Sequence, residues 1–205
     1  TGNVATESGR EFGFQFTIFR NGLDPEPPAP ERSPLRARHV FAGHLAIADL
    51  AAGRMIFAER LRREATGQAG AEEGRLDAFV EDWTIERDAD ADGGSLRIAA
   101  ADPANGLALR LALAPAQGKR AVLHGEGGYS RKGAEEGNAS AYVSFTRLDA
   151  TGSIAVPGSP ALSRCFVSIT VRFGSLSLGM IHTERGAPVG MAGDGATAAI
   201  AAWRY

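Results

Sequence analysis

Ten consecutive residues, Glu11 to Arg20, restrict this chain more than any other stretch. Phe12, Phe14, Phe16 and Ile18 fall on every second position, with Gly13, Gln15 and Thr17 between them. A period of two is that of a pleated strand, and no helix brings such a set to one face. Four large apolar side chains on one face require a second layer to cover them. The chain repeats the pattern in short pieces. His39 to Ile47 and Met55 to Leu61 read as strands joined by a turn at Asp49 to Gly53. Phe79, Glu81, Trp83 and Ile85 alternate with Val80, Asp82 and Thr84 as one further strand. Leu96 to Ala101 and Leu107 to Leu113 flank ADPANG, whose Asp-Pro and Asn-Gly pairs mark a hairpin. From Ala139 onward Tyr142, Ser144 and Thr146 alternate with Ala141, Val143 and Phe145. AERLRREA contains good helix formers, yet no apolar face recurs in it at helical spacing. The expected fold is therefore all-β, an antiparallel barrel or tightly closed sandwich, because closure removes the pairing edges that so many strands would expose.

Between these strands lie three irregular stretches. Asn21 to Pro34 carries prolines at 25, 27, 28, 30 and 34 and reads as a surface connection. Thr66 to Arg75 reads as a long loop of the kind that rims a cavity. His124 to Asn138 holds glycines at 125, 127, 128 and 133 and reads as a tightly folded connection leading into a strand. A length of 205 residues suits one domain spanning 1–205, with no internal repeat. The formal net charge of -2, with basic residues scattered, gives no reason to expect nucleic acid as a partner. The single Cys165 rules out an internal disulfide framework and a multi-cysteine zinc site. No apolar run reaches the eighteen residues of a transmembrane helix.

Few of the chemistry-bearing residues fall into known motifs. His39 and His44 are an odd number of residues apart and so face opposite ways on a strand; with no HExxH, no metal is expected. Gly125, Gly127 and Gly128 lack the third glycine of GxGxxG, Arg131-Lys132-Gly133 is not a phosphate loop, and there is no GxSxG elbow, so no nucleotide cofactor is expected. Two residues are catalytic candidates. Glu81, if it shares a dry face with Trp83 and Phe79, has reason to stay protonated and act as an acid; the alternative is a surface carboxylate. His124 is either a polar group in a cavity or a structural hydrogen-bonding residue at a strand end. Trp83, Tyr129, Asn138, Tyr142 and Arg147 are the candidates to line or close a ligand cavity, Tyr142 the best placed. Apolar walls with a few polar groups suit a hydrophobic or amphipathic small molecule.

The runs HGEGGYSRKG, EGNASAYVSFTRL and TGSIAV, together with TGNVATESGREFGFQFTIFR, RHVFAGHLAIADLAAGRMIFAERL and FVEDWTIERD, resemble the first domain of the CrtC/AttH family, the lipocalin-like proteins that include carotenoid hydratases and predicted secreted hydrolases. The likeness covers about residues 1–156 in the family's order. It implies a lipocalin-like barrel, closed or nearly closed, that binds a hydrophobic small molecule such as a lipid, terpenoid or carotenoid. It also implies a second lipocalin-like domain as partner, a place in the periplasm or cell envelope and, in the AttH case, an export ABC transporter. In the carotenoid hydratases an acid is thought to protonate a double bond so that water adds to the cation. Family members carry aromatic residues before TGN, so the chain reads as N-terminally truncated. They also carry a block close to W-x-D-H-E-W after the strand equivalent to TGSIAV, which residues 157–205 lack. That departure has two readings: a tail that diverged and lost catalysis, or one translated from a shifted frame. Hydration or hydrolysis of the hydrophobic molecule by acid-assisted addition of water is the alternative function, and a non-binding structural half of a two-domain protein, its interior filled by side chains, is a third.

Overall fold

A computed structural model of the chain describes residues 1–23, 33, 35–72, 76–88, 95–131, 133–134, 139–145, 147–158, 169–170 and 176–178. Strands β1 (Gly2–Ala5), β2 (Glu11–Gly22), β3 (His39–Asp49) and β4 (Arg54–Arg63) form an antiparallel sheet in chain order. The phenylalanine alternation sets its inner face: Phe12, Phe14, Phe16 and Ile18 of β2 are buried beside Phe41, Leu45 and Ile47 of β3. Fully burying a side chain of this size stabilises the fold by roughly 1.5–3 kcal/mol. One 3-10 turn, Glu64–Thr66, leads on to β5 (Ala69–Ala71), β6 (Ala78–Val80), β7 (Trp83–Arg87) and β8 (Leu96–Asp102). A second 3-10 turn, Pro103–Asn105, fills the expected ADPANG hairpin and delivers β9 (Leu107–Pro115). There follow β10 (Ala121–Leu123), β11 (Tyr129–Arg131), β12 (Ala139–Ala141), β13 (Val143–Phe145), β14 (Leu148–Ala155), β15 (Ile169–Thr170) and β16 (Leu176–Leu178). A seven-stranded sheet runs β15-β14-β9-β8-β7-β6-β5, and smaller ones join β10-β13-β16 and β11-β12. The chain is all-β with antiparallel pairing throughout these sheets.

Leu96, Ile98 and Ala100 of β8 and Leu107, Leu109, Leu111 and Leu113 of β9 join the inner face of the four-stranded sheet in one apolar core. Two regions depart from the sequence reading. Phe79 to Ile85 is not one strand: Val80 and Trp83 pair across a two-residue turn, Glu81-Asp82, in which Glu81 takes a left-handed φ of 58°. That reversal ends the alternation that put Glu81 on the face of Trp83. Thr66 to Arg75 is not all loop either, since β5 pairs with β6, and Gly70 lies beneath the Phe79 ring.

The glycine-rich block is a bulged arm of the β9–β14 hairpin. Pro115 pairs with Leu148, Ala121 with Phe145, Leu123 with Val143 and Tyr129 with Ala141, so one long antiparallel ribbon is offset twice. Residues 124–128 loop out opposite Tyr142 alone. His124 N–H donates to the Tyr142 carbonyl at 2.9 Å, and Tyr142 N–H to the Gly128 carbonyl at 2.7 Å, closing the bulge. Extra residues on one strand bend and twist it locally. Gly125, at φ 74°, is obligatory here because a Cβ would collide with the Tyr129 carbonyl oxygen. The expected tight connection from His124 to Asn138 thus contains a strand of its own, β11.

Candidate functional site

Two polar clusters flank the core. The first is built on the β6–β7 turn. Trp83 is fully buried, edge-to-face with Phe16 at 6.0 Å, and its indole Nε1 donates to the Ala101 carbonyl at 2.8 Å. Its ring lies so close to β3 that a Cβ on Gly43 would sit 2.9 Å from a ring carbon. Arg60, across from Gly43 on β4, covers the indole with its guanidinium 4.6 Å from the ring centre and donates to the same Ala101 carbonyl at 2.9 Å. Arg60 also pairs with Asp82 and, at 3.1 Å, with Glu81. Arg62 Nε donates to the other Glu81 oxygen at 2.6 Å. Both Glu81 oxygens are therefore committed to guanidinium donors. The Arg60 hydrogen bond holds the Asp82 carboxyl below the ordinary carboxylate range.

The second cluster is the bulge. His124 stacks on Tyr142, with ring centres 4.0 Å apart and planes 18° from parallel, and its Nε2 lies 2.6 Å from Ser144 Oγ. Ser144 is 2% exposed. The intervening Val143 and the following Phe145 are buried, and Phe145 joins the main core. The bulge thus sets a polar trio on one face of a strand whose other face is apolar.

The other sequence candidates are dispersed. Tyr129 is 50% exposed at the start of β11, and Arg147 is exposed between β13 and β14. Asn138 lies outside the described residues. His39 and His44 do face opposite ways: His39 bonds Glu64 at 2.6 Å and Arg20 at 2.8 Å, whereas His44 sits between the rings of Phe19 and Phe57. Among the described residues no three His, Cys, Asp or Glu side chains gather as a metal site would require. Ser144 carried no signal of its own in the sequence, although it shares the alternation of Tyr142; its link to His124, twenty residues away, needed the ribbon register. Arg60 and Arg62 carried no motif.

An all-β chain with this bulged ribbon and Trp-centred core defines the class, and comparison supplies the family. The AttH-like family matches residues 1–163, and the chain belongs to it. It is also similar to the crystal structure of a candidate AttH from Nitrosomonas europaea, with 29% identity and a TM-score of 0.61 over 78% of this chain. The match spans 45% of the Nitrosomonas chain, so this chain accounts for less than half of that protein's length. No protein of curated function matches it.

Proposed function

We propose that this is a lipocalin-like domain of an AttH-type protein whose sheets close into a barrel and bind a hydrophobic small molecule carrying a polar end. The observation that carries the reading is the β13 segment: apolar Val143 and Phe145 alternate with Tyr142 and Ser144, and His124 is folded onto the polar face. Such a boundary gives an amphipathic ligand apolar burial and a directional hydrogen bond at once. Closure is supported by the sheet edges. β1 lies alongside β15, β5 lies against β3, and β6 lies against β3 and β4. Binding is favoured over hydration because Glu81, the sequence's candidate acid, is engaged by two arginines. A second lipocalin-like domain, a cell-envelope location and an export transporter as partner belong to the same proposal through the family.

The test is energy transfer from Trp83 to all-trans-retinol in a Trp203→Phe variant, which leaves Trp83 as the one indole. Saturable quenching of Trp83 emission at one retinol per chain is expected. Emission unchanged at saturating retinol contradicts the reading.

A further inference from the structure

We propose that Ser144 and His124 form a nucleophile–base pair that accepts acyl groups from carboxylic esters. The structure places a nearly buried hydroxyl 2.6 Å from an imidazole nitrogen, within the reach that general-base activation needs. The imidazole is fixed from two sides. Its own backbone N–H is bonded to the Tyr142 carbonyl, and its ring lies flat on the Tyr142 ring. A five-residue bulge closed by two backbone hydrogen bonds is more scaffolding than a lone structural Ser–His bond requires, and bulges re-aim side chains in this way beside active sites.

In the step, Ser144 Oγ attacks the ester carbonyl carbon while its proton passes to His124 Nε2. The carbon–oxygen bond to the alcohol breaks, and the alcohol leaves with that proton. Water then attacks the acyl-serine, again giving its proton to Nε2, and Ser144 recovers it as the carboxylic acid departs. Nothing is oxidised or reduced. The imidazolium formed midway rests on the Tyr142 π-face, an attraction available to any cation over an aromatic ring. Among the described residues no carboxylate bonds the other imidazole nitrogen, so acylation with slow turnover is expected rather than rapid hydrolysis. Tyr142 is a positioning residue. This reaction uses the polar face on which the binding reading rests, and it rests on that reading for access of the ester to Ser144.

The experiment is incubation of the full chain with p-nitrophenyl octanoate and, separately, with an alkyl fluorophosphonate, followed by intact-mass measurement and peptide mapping. One adduct per chain on Ser144 is expected. Ser144→Ala should abolish it, His124→Gln should slow it by roughly 100-fold, and Ser8→Ala, at an exposed turn far along the chain, should leave it unchanged. Tyr142→Leu should lower the labelling rate while leaving the melting temperature unchanged, and Tyr142→Phe, which keeps the stacked ring, should restore the rate. Absence of an adduct on wild-type protein, mapping to another residue, or wild-type labelling of His124→Gln overturns the proposal. Because the adduct is mapped on the wild-type chain, the outcome does not depend on whether Ser144→Ala folds.

Discussion

Asp49 shows how one residue can carry a local requirement. Its side chain is fully buried at the end of β3, where it accepts from Arg10 at 2.6 Å and from the Ala52 N–H at 3.2 Å, with Arg54 at 3.7 Å. The Arg10 hydrogen bond is the main reason its carboxyl is held below the ordinary range, outweighing the opposing effect of desolvation. A carboxylate whose folded pKa is depressed contributes stability above its unfolded value, about 3.9, and loses that contribution as pH falls from there through the folded value. Melting temperatures should therefore drop from pH 5 to pH 2 more steeply in wild type than in Asp49→Asn, and the two curves should converge at the acid end. Parallel curves would mean that Asp49 is not responsible. Gly43 makes the complementary point: its missing Cβ is what lets Trp83 reach β3, so a tiny residue sets the position of the largest core side chain.

At the level of elements, long strands were legible in the sequence and short ones were not. β2, β3, β8 and β9 each bury one alternate face, and that face is written as every second residue; in β4 Ala58 is buried while Met55, Phe57 and Leu61 face outward. The three-residue strands β5, β6 and β11 are too brief to show a period and depend on their partners. Glu81-Asp82 hid a hairpin because a left-handed backbone at a glutamate has no residue signature. The bulge was visible only as glycine content; its register, and hence the His124–Ser144 contact, follows from tertiary pairing. Gly125→Ala tests it. A Cβ there strikes the Tyr129 carbonyl, so the bulge should open while the core stays folded. Amide exchange of Tyr142, whose N–H is bonded to Gly128, should accelerate by an order of magnitude or more, and that of Leu109 should not change. Equal acceleration at both sites would show that the bulge and core are one cooperative unit. The exposed side of β4 is a further feature of this scale. Met55, Phe57 and Leu61 are in solvent there, alternating with Ile56, Ala58, Arg60 and Arg62 on the less exposed face.

Across the molecule, the four-stranded sheet is joined to the seven-stranded one by side chains as well as by the shared core. Arg60 donates to the Ala101 carbonyl in β8, and Arg54 to that of Pro157, two residues past the end of β14. The edge strands β1 and β15 of the two sheets also lie alongside each other. The family match ends at residue 163, a few residues beyond the point near Val156 where the sequence likeness fades. The two short strands of the tail still pair with β14 and β13. The claim that organises these observations is that the sheets wrap a hydrophobic molecule with a polar end. Native mass spectrometry of the protein purified from its source tests it most directly: the account predicts one retained lipid- or terpenoid-sized mass per chain, released on denaturation, whereas repeated recovery of the empty chain at its sequence mass would contradict it.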